Sequence, residues 1–264
     1  MIIESSFNIN LEESIREHWR MSSLSDYDNF TLKYSDVAEE IAKLHILFRE
    51  TGIKKGDRIA LCGHNMSRWA VCFLATLTYG AVAVPILHDF HPEQIQQLVK
   101  HCDARLLFVS DRIWRKLNGG QILEVDGVIQ INDYTLLSCK NKKLENAVAN
   151  LNRLFGAEYP DNFSASDIKY HQDKPEELAI INYTSGTTSN PKGVMIPYRA
   201  LVGNMICAHD LLTTNAKAGD SILSMLPMAH TFGMSFEFLY EFVIGVHVHF
   251  LTRVPTPTIL LQDL

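Results

Sequence analysis

Between Gly56 and Tyr183 short apolar runs of strand character alternate with helix-patterned segments, and this alternation limits the available folds more than any other feature of the chain. Strands are predicted at Ile59–Cys62, Ala81–Val84, Leu106–Ser110 and Leu178–Tyr183, with a short one at Gly127–Ile131. Helices are predicted around Arg68–Tyr79 and Pro92–His101. Parallel strands joined by crossover helices need cover on both faces, so the expected class is α/β: a three-layer, mainly parallel sheet flanked by helices.

An earlier helix is expected to start near Ser35 or Asp36, with Asp36 and Glu39 as a capping box, and to end at Gly52. Val37, Ile41, Leu44 and Phe48 give it one apolar stripe. A further helix is expected around Leu144–Phe155, followed by a polar connection from Pro160 to Glu177. Trp69 to Leu87 carries no charge over nineteen residues. Gly80 and Pro85 interrupt it, which favours a buried helix followed by a strand over a membrane-spanning helix.

A net charge of −6, from 24 basic and 30 acidic residues with no long basic run, argues against nucleic acid as a partner. The five cysteines are an odd number without CxxC spacing, so neither a disulfide framework nor a zinc site is indicated. Met1-Ile2-Ile3-Glu4 lacks the basic start and apolar run of a signal peptide, and a cytoplasmic location is expected. His88/His91 and His247/His249 have spacings that metal sites use, but without acidic or thiolate partners they read as surface or strand histidines.

The most informative segment follows the strand at Leu178–Tyr183. Thr184-Ser185-Gly186-Thr187-Thr188-Ser189-Asn190-Pro191-Lys192-Gly193 packs five hydroxyls, two glycines and a lysine into ten residues. Such a loop can turn N–H groups and hydroxyls toward phosphate oxygens or Mg²⁺, with Lys192 neutralising a polyphosphate. By composition alone it is a solvated turn. The order of residues excludes a Walker-type loop, because Pro191 falls where its second glycine belongs and Gly193 where its hydroxyl belongs.

Tyr183 to Val194 instead resembles the phosphate-binding signature of the adenylate-forming (AMP-binding) superfamily, and the chain is similar to the amino-terminal part of a long-chain fatty-acyl-CoA ligase. Leu32–Val37, Lys55–Ile59 and Tyr79–Pro85 resemble that family's earlier segments, in order. Leu226-Pro227-Met228-Ala229-His230-Thr231-Phe232-Gly233 is similar to the stretch lining its acid pocket. Ser189 replaces a usual glycine, and Tyr198 stands where histidine is common.

The resemblance implies that a carboxylic acid is activated with ATP to acyl-AMP and then joined to coenzyme A. Thr184, Ser185, Gly186, Thr187, Thr188 and Lys192 would then bind ATP, Lys192 being the catalytic residue at the departing pyrophosphate. Thr187 would sit nearest Mg²⁺, and His230 and Gly233 would contact the acid. Outside such a motif, a lone histidine among apolar residues is more often a core residue. Met234, Phe238 and Phe242, at four-residue steps, read either as an acyl tunnel or as ordinary core.

The implied organisation places a first α/β subdomain at residues 56–212. Residues 1–55 and 220–264 would begin a second, interleaved α/β sheet. Thr258–Leu264 starts an apolar helical pattern at the end of the chain, so the carboxy-terminal part of the enzyme is expected to be absent and the chain alone inactive. Apolar surface left uncovered would favour self-association, and peripheral membrane contact is compatible with a fatty-acid partner. A non-catalytic nucleotide- or acyl-binding module and an aryl-acid CoA ligase fragment are the alternatives.

Overall fold

In chain order the strands are β1 (Ser22–Asp26), β2 (Thr31–Lys33), β3 (Arg58–Cys62), β4 (Val82–Ile86), β5 (Ala104–Val109) and β6 (Gly127–Gln130). They continue as β7 (Leu136–Cys139), β8 (Leu178–Tyr183), β9 (Gly193–Pro197), β10 (Ser221–Ser224) and β11 (His247–Phe250). The helices are α1 (Phe7–Glu17), α2 (Tyr34–Thr51), α3 (Ser67–Tyr79), α4 (Pro92–His101) and α5 (Asp111–Lys116). After these come α6 (Lys142–Ala149), α7 (Leu151–Glu158), α8 (Tyr198–Leu212) and a π-helical stretch, Gly233–Leu239, that runs into α9 (Tyr240–Val243). This computed structural model describes residues 3–27, 30–117, 124–184, 191–212 and 216–251.

The larger sheet has the order β7-β6-β5-β3-β4-β8-β9. Its five inner strands are parallel, while β7 and β9 close the two edges antiparallel. All five residues of β4 are buried, because helices cover both faces, and its sequence is therefore continuously apolar rather than alternating. One core cluster joins the sheet to α2 and α3, and another lies under α4 and α5. This is the three-layer, mainly parallel α/β arrangement that the alternation predicts.

A smaller sheet, β10-β11-β1-β2, combines strands from the two ends of the chain, β1 lying parallel to β11. α3 is enclosed between the sheets. Phe73 meets Phe238 at 6.4 Å between ring centroids, and Ser67 donates both its N–H and its hydroxyl to Asp26 of β1. Enclosure of Trp69 to Thr78 explains why that stretch of α3 carries no charge. No helix among the described residues is long and apolar enough to cross a membrane.

Some local expectations are corrected. α2 begins at Tyr34, and Asp36 accepts the Lys33 N–H at 2.8 Å, so Asp36 pairs with the residue before the helix while Glu39 bonds Lys43 on its surface. Gly52, at φ 77°, ends α2 as expected by donating to Phe48 and Arg49. The helix expected at Leu144–Phe155 is broken at Asn150 into α6 and α7. The pattern at Thr258–Leu264 lies outside the described residues.

The sequence pattern alone misses α1, whose asparagines are poor helix formers. Tertiary contacts hold it instead. The Asp173 carboxylate accepts the Ser6 hydroxyl at 2.7 Å and the N–H groups of Phe7 and Asn8 at 3.1 and 2.9 Å, capping the helix from the far end of the sequence. Asp173→Ala strands two buried N–H groups and should lower stability by about 2 kcal/mol. Urea unfolding measures this, and an unchanged midpoint would show that the cap contributes nothing.

Candidate functional site

The phosphate-loop motif joins β8 to β9. The register pairs Tyr183 with Gly193, and the Thr184 N–H donates to the Lys192 carbonyl at 3.4 Å, so the loop closes at its base with residues 184 and 192 side by side. A Cβ at position 193 would sit 2.7 Å from Ile181 Cγ2 and 3.2 Å from the Tyr183 ring, which explains the glycine where the return strand begins. Burial pushes the Tyr183 phenol up to about 12, so it stays protonated, and it shares a hydrogen bond with His101 Nδ1 at 2.7 Å. The hairpin is thereby tied to α4.

Thr184 and Lys192 are exposed beyond the carboxyl end of β8, the end of a parallel sheet where ligands bind. Lys192 has no ion-pair partner among the described residues, which leaves its ammonium able to meet an anion. Ser185, Gly186, Thr187 and Thr188, the other residues assigned to phosphate or metal, lie outside the described residues. So does Ser189. Tyr198, the other departure from the family pattern, is a buried structural residue whose hydroxyl donates to the Leu77 carbonyl at 2.7 Å.

The second motif forms a turn after β10, held by polar side chains from elsewhere. Asn65 donates to the Leu226 carbonyl at 2.7 Å and accepts the Met228 N–H at 2.9 Å. Glu237 accepts the N–H groups of Met225 and Leu226, both at 2.8 Å. Asn182, on β8, donates to the Ala229 carbonyl at 2.9 Å and brings the two motifs together. Sequence inspection misses all three, and an amide within the apolar run of β8 is the one visible signal.

His230 is exposed, its Nδ1 accepting the Phe232 N–H at 3.3 Å. It is not a core histidine. Gly233 is buried, and a Cβ there would lie 2.8 Å from the Pro227 carbonyl oxygen and 3.0 Å from that of Leu226. Only glycine allows the turn to fold back this tightly. Met234, Phe238 and Phe242 are buried, with Phe238 against Phe73 and Phe250 and Phe242 against Tyr34, so the stripe is core and not a tunnel wall.

Phe232 and Phe236 face the other way, with ring centroids 4.8 Å apart. With Leu211, Ile222 and Val246 they line an open apolar groove of about 750 Å³. Glu241 borders it, with one buried carboxyl oxygen that has no hydrogen-bond partner among the described residues. Burial raises this carboxyl to about 7, so the folded chain holds a proton that the unfolded chain releases from the ordinary carboxylate range upward. The stability linked to this group is greatest below that range and is lost as pH rises toward and through 7. Glu241→Gln should remove this part of the pH dependence in urea midpoints measured between pH 5 and 8. Identical slopes in the two proteins would contradict the assignment.

Among the described residues, no group of three His, Cys, Asp or Glu side chains could hold a metal. The rings of His247 and His249 lie 4.0 Å apart on β11, tilted by 41°, and His247 shares a hydrogen bond with Ser25.

The pattern that defines the AMP-binding enzymes matches residues 11–264. Probable acyl-activating enzyme 16 of Arabidopsis thaliana is 27% identical over 92% of this chain and 36% of its own length. The long-chain-fatty-acid–[acyl-carrier-protein] ligase AEE15 of the same plant is 28% identical over 86% of this chain and 32% of its own. A red-emitting luciferase from Phrixothrix hirtus shares the fold, with a TM-score of 0.81 at 18% identity, over 99% of this chain and 49% of that one. The chain spans about a third of the length of these curated relatives and about half that of the luciferase.

Proposed function

The chain belongs to the AMP-binding enzyme family, and on that premise we propose that the protein containing it activates a carboxylic acid with ATP and passes the acyl group to a thiol. The observation that carries this reading is the junction of the two motifs. The hairpin bearing Lys192 and the turn bearing His230 are joined by the Asn182–Ala229 hydrogen bond at the carboxyl end of the parallel sheet.

In this reaction a carboxylate oxygen attacks the α-phosphorus of ATP, the bond from that phosphorus to the departing oxygen breaks, and pyrophosphate leaves. A thiol then attacks the acyl carbon and releases AMP. Both reactants are anions, so the protein's task is alignment and charge neutralisation. Lys192 would supply positive charge to the departing pyrophosphate, and Thr184 with Ser185, Gly186, Thr187 and Thr188 would bind the β- and γ-phosphates. Thr187 would help to hold Mg²⁺, which would supply further charge neutralisation. Coenzyme A is the proposed thiol, His230 and Gly233 shape the acid's reactive end, and Phe232 and Phe236 offer its tail an apolar wall.

That wall favours an alkyl chain over a polar acid, and the similarity to a long-chain-fatty-acid–[acyl-carrier-protein] ligase supports the same choice. Acid-dependent ATP–pyrophosphate exchange by the full-length protein tests the reading, with hexadecanoate, decanoate, benzoate and cinnamate as substrates. Exchange should be fastest with the fatty acids. Preference for the aromatic acids would move the assignment to an aryl-CoA ligase, and no exchange with any acid would favour a non-catalytic nucleotide- or acyl-binding module.

A further inference from the structure

Asn182 is the penultimate residue of β8 and is 8% exposed. Its neighbours Ile180 and Ile181 show what this strand ordinarily carries, and a buried amide is unfavourable unless it is hydrogen-bonded. Its side-chain N–H reaches the carbonyl of Ala229, the residue immediately before His230. The turn's other polar supports, Asn65 and Glu237, come from the loop after β3 and from the π-helical stretch. Among the three, Asn182 alone belongs to the strand that leads into the phosphate loop.

We infer that Asn182 is a positioning residue: it sets the hairpin carrying Lys192 and the turn carrying His230 at a fixed separation, so that acid and ATP are aligned by one rigid unit. This rests on the acyl-activation reading. Packing alone would be served by an apolar side chain at this place, whereas the amide specifies where the Ala229 carbonyl must lie. Releasing it lets the turn shift while the hairpin remains closed by its own β8–β9 register. The consequence falls on the acid and not on ATP.

The test uses the full-length protein with Asn182→Leu and Asn182→Asp, following pyrophosphate exchange while acid and ATP are varied separately. Urea midpoints report folding. Losing one buried hydrogen bond should raise KM for the acid about tenfold in both variants, with KM for ATP held within about twofold. Asn182→Asp should regain acid affinity as pH falls, because the protonated carboxyl again donates to Ala229, and Asn182→Leu should not. A wild type that exchanges normally, with folded variants whose acid KM is unchanged or whose two KM values rise together, overturns this inference alone. A wild type without acid-dependent exchange overturns the acyl-activation reading and this inference with it.

Discussion

Lys192→Ala in the full-length protein lowers acid-dependent ATP–pyrophosphate exchange by about ten- to a hundredfold. A charge-assisted contact to phosphate contributes roughly 1.5–3 kcal/mol, and each 1.4 kcal/mol is about a factor of ten. Lys192 stands at the mouth of the β8–β9 hairpin, exposed and without an ion-pair partner among the described residues, so little of its charge is spent inside the protein. Its backbone carbonyl still receives the Thr184 N–H after the substitution, and the loop base should persist. The variant therefore removes charge without removing structure. Exchange equal to wild type would deny Lys192 its role, and Lys192→Arg should recover part of the rate by restoring charge in a different shape.

Gly233→Ala should be more damaging still, and on the acid side. The added Cβ meets two backbone carbonyls, at 2.8 and 3.0 Å, which cannot move aside as a flexible side-chain end could. The turn from Leu226 to Gly233 must open, pulling against Asn65 and Glu237 and displacing His230. A shift of about 1 Å in a group that orients a reactant can cost on the order of a hundredfold in rate, so kcat/KM for the acid should fall by about that factor. KM for ATP should stay near wild type, because the hairpin is held by its own register. Steady-state kinetics with each substrate varied separates the two, and an unchanged kcat/KM for the acid would remove Gly233 and its turn from the site.

The larger sheet was legible because its evidence is local. Each inner strand is a short apolar run, the crossovers through α3 and α4 carry helical spacing, while the short α5 and the edge strand β7 were not read, and glycines such as Gly52 and Gly80 end helices in the left-handed conformation. The smaller sheet has no such signature. Its β1 is Ser22-Ser23-Leu24-Ser25-Asp26, too polar to read as a strand, and its parallel partner β11 lies more than 200 residues away. β9 was hidden for a related reason, since an edge strand with Val194 and Met195 exposed lacks the alternation of a half-buried one.

The motifs of the site could be read by residue order, but what holds them could not. Asn65, Asn182 and Glu237 are single polar residues whose meaning comes from distant carbonyls and N–H groups. The stripe Met234-Phe238-Phe242 left two readings open for the opposite reason. Four-residue spacing marks a face, and which face meets the core is decided by Phe73, Phe250 and Tyr34, from three other elements.

The central claim is that a carboxylate oxygen becomes bonded to the α-phosphorus of ATP in a site built from the Lys192 hairpin and the His230 turn. Supplying the full-length protein with hexadecanoate labelled with oxygen-18 in its carboxylate, together with ATP, Mg²⁺ and coenzyme A, tests this directly by mass analysis of the nucleotide product. Thiol attack on the acyl carbon leaves the bridging oxygen on phosphorus, so AMP should carry one labelled oxygen for each acyl-CoA formed. Unlabelled AMP, or ADP accompanied by labelled phosphate, would contradict the account.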